Sequence, residues 1–432
     1  MKQIFTIIFF ALYSSAFSQN SSKIFTSDID NFWVAYDSIQ QTNEFSKKLY
    51  FINKLYIEKG TKGLNAFMKE RDYNDSLYVM LIEEYPKFWN SIRPNTLTIQ
   101  NKFTELNKAV ENLKKLYPEL KEAEMYFTIG GLSSGGTVTD NMVLVGAEVA
   151  TGNSSVDMSE FKNDWLKNVF AKQSLDNIVY LNIHEYIHTQ QNGDRNLVLN
   201  QSIKEGACDF IAELAIETPI ETQYLSYGKN HESEIRELFK REMFSNNFSN
   251  WLYNGLQKGA GSDLGYYVGY EICKSYYENA KDKSLAIKEI IELNYEEDEA
   301  VEAFLYESKY FKETIDKKKL IEDYNKNLPY IVKIEPFENG STNVNPNTKE
   351  LKITFSKEMV NNSFSISYSE KGKEYFPVTK VNGFENNDKT IILLIDLQAN
   401  KDYEFVITNR NFKSKDGYPL KSEEYPIRFK TE

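Results

Sequence analysis

Two of the chain's three histidines stand four residues apart in His184-Glu185-Tyr186-Ile187-His188. On an α-helix this spacing puts both imidazoles on one face, where they can hold a single divalent ion. Glu185, one position along, reaches a water bound to that ion, so the chemistry implied is zinc-activated water with a glutamate general base. Such a site needs a third protein ligand and one open position. Glu205 is placed to be that ligand, because residues 201–214 read as a second helix on which Glu205 and Asp209 share a face. One carboxylate then binds the metal while Asp209 accepts an imidazole N–H and fixes the histidine tautomer.

These residues need two helices brought together. Leu175, Ile178, Val179, Leu181, Ile183 and Ile187 spread around the first helix and predict that it is buried, where two histidines and a glutamate need partners. The polar stretch 190–196, with Gly193, lets the chain reverse so that the helices pack antiparallel. The alternatives are ordinary ones: packing histidines, a dipole-favoured helix carboxylate at Glu205, a solvated charge at Asp209. For an oxyanion donor beside the metal, His231 and the tyrosines of 263–270, above all Tyr267 and Tyr270, are candidates, though each has an equally plain role in packing or at a helix start. His231 is also a substitute third ligand. Cys208 flanks Glu205, but a fourth protein ligand would close the site.

The pairing of HExxH with Glu205-Gly-Ala-Cys-Asp209 resembles the gluzincin branch of zinc metallopeptidases. More widely, residues 28 to about 310 resemble an uncharacterised family of predicted zinc-dependent proteases common in Bacteroidetes. The matching pieces are Asp28 to Trp33, the glycine-rich run from Phe127 to Val149, the zinc motif, Lys204 to Leu214, and Asp263 to Tyr270. The resemblance implies that His184, His188 and Glu205 bind one Zn²⁺, that Glu185 moves the proton, and that an antiparallel edge strand receives a peptide.

Gly130 to Thr137 has the look of a phosphate loop, but Thr137 stands where lysine is needed, so nucleotide binding is not expected. The apolar runs 125–129 and 142–145 flank it and predict a hairpin with a long loop, which would supply the peptide edge.

Met1-Lys2, the apolar run Ile4 to Leu12 and the small residues to Ser18 have the three regions of a secretory signal. No cysteine lies near it, which does not support lipid attachment there, and no stretch is long enough to span a membrane. A formal net charge of −12 disfavours nucleic acid and anionic membranes as partners. Cys208 and Cys273 are the only cysteines, so there is no disulfide framework, though one bridge is open to them.

The segment from Asp28 to about Leu120 reads as mainly helical, with Phe32, Trp33, Tyr36 and Ile39 as a core stripe. Further helices follow residue 231, and Lys317 to Lys319 reads as a solvated face. Beyond Leu328 the pattern turns to short alternating runs, as in a β-sandwich. Pro336 to Val344 with Ile353 to Met359 resembles the opening of bacterial Ig-like domains.

The fold expected is therefore α+β: a signal over 1–18, a mainly helical zincin-like metallopeptidase domain with a small antiparallel sheet over 19–330 (helical to 120, catalytic from 121), and an all-β Ig-like sandwich over 331–432. The function expected is a secreted zinc metallopeptidase, periplasmic or extracellular, acting on a peptide or protein, with the Ig-like domain as a protein or cell-surface contact. The alternatives are a non-catalytic surface-associated binding protein on the same scaffold and a zinc amidase acting on cell-wall peptides.

Overall fold

Aromatic residues at helical spacing build the first part of the molecule. The computed structural model describes residues 23–162, 164–255 and 261–432; the signal expected over 1–18 lies outside the described residues. Helices Ser27–Ile39, Phe45–Leu55, Lys62–Glu70, Asp75–Glu84 and Pro86–Leu97 follow one another, Pro86 occupying a first-turn position where its missing N–H costs nothing. Phe32, Trp33, Tyr36 and Ile39 are buried as expected, and Phe32 meets Tyr56 and Trp89 with ring centroids 5.3 and 5.1 Å apart.

The small sheet departs from the expected hairpin. Strands β1 (Ile24–Phe25), β2 (Glu124–Thr128), β3 (Thr137–Thr139) and β4 (Met142–Gly146) lie in the order β1-β2-β4-β3. The runs expected to be antiparallel, β2 and β4, pair in parallel, and only β3 runs antiparallel to β4. The reason is burial: β2 and β4 are each buried along four consecutive residues, as inner strands covered on both faces are. The short hairpin forms instead between β3 and β4 across Asp140 and Asn141, Asp140 having φ of 48°. The glycine-rich loop after β2 is held by Glu148, a wholly buried acid on the helix Ala147–Ala150 whose carboxylate accepts from Gly130 N (2.8 Å) and Leu132 N (3.2 Å).

These elements form one compact unit, residues up to Asn107 with Glu122–Phe161; Lys108–Lys121 and Lys162–Glu432 form the other. In the second unit the motif helix Ile178–His188 precedes the ligand helix Val198–Ile216, and the tyrosine helix Leu264–Asn279 packs on the latter. Ile178, Val179, Ile183 and Ile187 are buried, but Leu181 reaches the surface at 37% exposure, so the motif helix is less enclosed than its sequence suggests. Ligand and tyrosine helices touch backbone to backbone. A Cβ on Gly206 would lie 2.0 Å from Tyr270 N, and one on Gly269 1.7 Å from Ser202 O, so only glycine permits this crossing.

The C-terminal part is all-β. Strands β5 (Ile331–Glu335), β6 (Glu350–Phe355), β9 (Thr390–Ile395) and β8 (Val378–Glu385) form one antiparallel sheet; β11 (Glu424–Lys430), β10 (Asp402–Thr408) and β7 (Ile366–Tyr368) form the other. Leu351, Ile353, Phe355, Ile391, Leu393, Phe405 and Ile407 fill the core between them. This sandwich is tied to the helices before it: Arg241 stacks on Tyr418 at 4.5 Å, and Lys413 Nζ donates to Ser249 O (3.1 Å) and Asn250 Oδ1 (2.9 Å).

Candidate metal centre

The motif helix presents His184 and His188 to one side, and the ligand helix presents Glu205, Cys208 and Asp209 to the same place. The intervening turn is fixed by Gly193 at φ +78°, by Gln201 Nε2 donating to Arg195 O (3.1 Å), and by Lys204 Nζ donating to Gly193 O (3.1 Å).

His184 Nε2, His188 Nε2 and Glu205 Oε2 form a triangle with edges of 3.1 Å between the nitrogens, 3.2 Å from His188 to Glu205 and 3.4 Å from His184 to Glu205. A tetrahedral zinc with bonds of about 2.0–2.2 Å separates its donors by roughly 3.3–3.5 Å, so these atoms stand within a few tenths of an ångström of that spacing. Both rings are turned for it. His184 Nδ1 donates to Asp209 Oδ1 (2.7 Å) and His188 Nδ1 to Gln191 Oε1 (2.8 Å), which leaves both Nε2 lone pairs aimed at a common point.

The orienting groups are themselves held. Asp209, wholly buried, also accepts from Tyr180 (2.5 Å) and Tyr224 (2.7 Å), and Gln191 Nε2 donates to Lys204 O (2.8 Å). Glu205 keeps its second oxygen for Tyr253, whose hydroxyl donates at 3.0 Å, and Tyr266 stacks beside His184 with centroids 6.3 Å apart. Glu185 is half-buried, and its side chain makes no hydrogen bond or ion pair among the described residues.

Burial opposes charge on His184, yet Asp209 and Glu205 outweigh it and hold the imidazole well above its ordinary pKa. Burial also works to raise Glu205, and the two histidines overcome it and hold the carboxyl well below the usual range. A carboxylate and imidazoles this close are what a cation would find in place of protons.

Cys208 also falls near this cluster, and His184, His188 and Cys208 offer atoms within 4.8 Å of one another. Its placement suits a third donor less well than that of Glu205. Cys208 Sγ approaches Nδ1 of His188 (3.4 Å), the nitrogen already committed to Gln191, and burial with the nearby acids pushes the thiol pKa well above its usual value. Cys208 and Cys273 are both free and buried, so they do not pair.

The structure thus brings His184, Glu185, His188, Glu205 and Asp209 to one place, and leaves the three other expected residues elsewhere. His231 is exposed at a junction of two helices, stacked on Tyr227 at 4.0 Å with Nδ1 donating to Tyr227 O. Tyr267 is buried against Gly228, whose Cβ would lie 2.3 Å from the ring. Tyr270 donates to Glu213 Oε1 (2.7 Å), one helical turn beyond Asp209. Its neighbour Tyr266 is the member of the block that faces the histidines. Gln191, Tyr180, Tyr224, Tyr253 and Tyr266 were not anticipated, and of these only Gln191, three residues past His188, carried a local signal.

The profile of the family described as gliding motility protein GldB matches residues 15–312, which contain the whole centre. The chain belongs to the gliding motility protein GldB family. A bacterial Ig-like domain profile matches residues 325–431 and covers the sandwich. No curated protein matches the chain. Among solved structures, CopC from Methylosinus trichosporium OB3b is 20% identical over 24% of this chain and 93% of its own, with a TM-score of 0.20. The surface layer protein SbsC, domains 1–6, is 13% identical over 76% of this chain and 45% of its own, with a TM-score of 0.17. Likeness at these scores carries no inference.

The GldB match overturns the expectation of a secreted metallopeptidase and the resemblance to a protease family on which it leaned. It points to gliding motility, and nothing in the comparisons links the chain to a hydrolase, a peptide substrate or a zincin fold. The physical reason is that HExxH with a downstream carboxylate describes a local metal cradle, which any fold able to pack two such helices can carry. What stands of the expected architecture is a helical region with a small sheet, followed by an Ig-like domain. The GldB family is a lipoprotein family and places the chain among cell-envelope proteins, and among the described residues no helix is long and apolar enough to cross a membrane.

Proposed function

We propose that this chain is an exported cell-envelope protein of gliding motility whose helical region holds one divalent cation, zinc, on His184, His188 and Glu205. The reading is carried by the near-equilateral triangle of donor atoms, with both Nδ1 positions already committed to acceptors. Three ligands leave one corner of the ion for a water or for an oxygen of a bound molecule. The chain's own residues bring two helices and the Tyr253 segment around one point, and a cation there adds to the packing and hydrogen bonds that already join them. The Ig-like domain, held against Ser249 and Asn250, serves as the protein contact of the assembly.

Elemental analysis of the purified full chain tests the metal: one zinc per chain is expected in the wild type and none in the His184→Ala/His188→Ala double variant. Colony spreading of a gliding host carrying the double variant at an unchanged protein level tests the role, and loss of spreading is expected. A wild-type chain that neither contains nor takes up zinc overturns the metal reading; undiminished spreading overturns its link to motility.

A further inference from the structure

A cleft of about 630 Å³ opens directly beside the proposed metal, within the size range of about 300–1,000 Å³ typical of ligand sites. Its inner wall is the outer side of the metal cradle, because Tyr224, Tyr253 and Tyr266 all line it. These are the tyrosines that hold Asp209 (2.7 Å), hold Glu205 (3.0 Å) and stack beside His184. Trp165 adds a fourth aromatic wall, and the exposed Asn168 and Gln223 place amides beside the rings, whereas the buried Asn254 already donates to Ser249 O (3.2 Å) and accepts from Asp263 N (2.7 Å).

The lining selects by what it offers and by what it lacks. Among the described residues neither lysine nor arginine lines the cleft, and the carboxyl of Asp263 does, so these side chains offer nothing to neutralise a phosphate or a polyanion. A peptide recognised along its backbone needs an open strand edge, and Trp165, Gln223, Tyr224 and Tyr266 stand on helices while Tyr253 and Asn254 stand on a loop. A purely apolar guest would bury the amides unpaired. Flat aromatic faces interleaved with amides suit a molecule that has C–H faces and hydroxyl edges at once, which is the chemistry of a sugar ring.

We infer that this cleft binds an uncharged saccharide, stacked on Trp165 and the tyrosines with its hydroxyls on the amides. The inference rests on the proposed metal reading only where a hydroxyl faces the ion's open corner; the aromatic and amide walls stand without it.

Titration calorimetry of the full chain with two neutral tetrasaccharides, one of glucose and one of N-acetylglucosamine, tests it, with zinc content measured on the same samples. Saturable binding of at least one is expected, weakened about tenfold or more by Trp165→Ala and by less by Gln223→Ala on the cleft rim, both variants keeping wild-type zinc and melting temperature. Trp165→Phe, which keeps an aromatic face, should retain most of the affinity. Failure of both sugars to bind zinc-replete protein overturns the inference and leaves the metal reading intact, as does binding that ignores Trp165→Ala, or binding of an unstructured peptide in place of either sugar. A chain that takes up no zinc and still binds sugar through Trp165 overturns the metal reading and supports the cleft.

Discussion

Two buried glutamates show what separates a site from a structural clamp. Glu148 in the first unit is wholly buried and, among the described residues, its carboxylate accepts from the backbone N–H groups of Gly130 and Leu132, and burial pushes its pKa up to about 7. Glu205 in the second unit is nearly as buried, but two imidazoles converge on it and hold it well below the usual range. Burial alone makes a carboxyl prefer its proton; burial beside nitrogen donors aimed at one point keeps it an anion ready for a cation. A scan for buried acids would find both residues, and only the surrounding donors tell them apart.

The most severe break of this comparison removes a donor. His188→Ala should weaken zinc binding by more than about 100-fold, beyond the cost of losing an outer partner, while Glu148→Gln should leave zinc content unchanged. Zinc titration against a competing chelator reads both. The melting temperature of the wild type should fall on chelation and that of His188→Ala should not, because a ligand stabilises only the state that binds it.

The second prediction concerns the clamp. Glu148 has a folded pKa raised from 4.5 to about 7. A carboxyl raised on folding contributes stability that is full below its unfolded value and is lost as pH rises through the folded value. Stability should therefore drop between about pH 4.5 and 7, by on the order of 3 kcal/mol. Denaturant midpoints followed from pH 5 to 8 should fall steeply in the wild type and be flatter in Glu148→Gln, which cannot ionise. Equal slopes would remove Glu148 from the contrast.

How much of the centre was legible in sequence follows from how local each signal is. His184, His188 and the pair Glu205 and Asp209 repeat at four residues, and a helix turns that spacing into a shared face without knowledge of the fold. The Ig-like strands were legible likewise, because β6 and β9 alternate between buried and partly exposed residues along one sheet of the sandwich. Tyr180, Tyr224 and Tyr253 reach Asp209 and Glu205 across 29, 15 and 48 residues, and such partners are set by packing alone. The block 263–270 was located but its facing was not, because a helix crossing at Gly206 and Gly269 decides which tyrosine meets His184. The parallel pairing of β2 and β4 was hidden for the same reason. The function was misread because a metal cradle is a property of two helices, whereas membership in the GldB family is a property of some three hundred residues.

The two imidazoles differ in their outer partners, and this gives finer tests. His184 donates to a carboxylate, Asp209, fixed by two tyrosines; Asp209→Asn keeps the shape and removes the charge. A loss of about 10–100-fold in zinc affinity is expected, with the fold intact.

His188 donates to a neutral amide, Gln191, itself held by the Lys204 carbonyl. A hydrogen bond to a neutral acceptor is about half as strong as one to an anion, and water can replace an amide at the half-exposed Gln191 more readily than a carboxylate at the sealed Asp209. Gln191→Ala should therefore cost less than Asp209→Asn, about tenfold or below, in the same chelator competition. If Gln191→Ala costs more than Asp209→Asn, the orientation of His188 and not the charge behind His184 limits the affinity, and the triangle of donors depends chiefly on the turn after the motif helix.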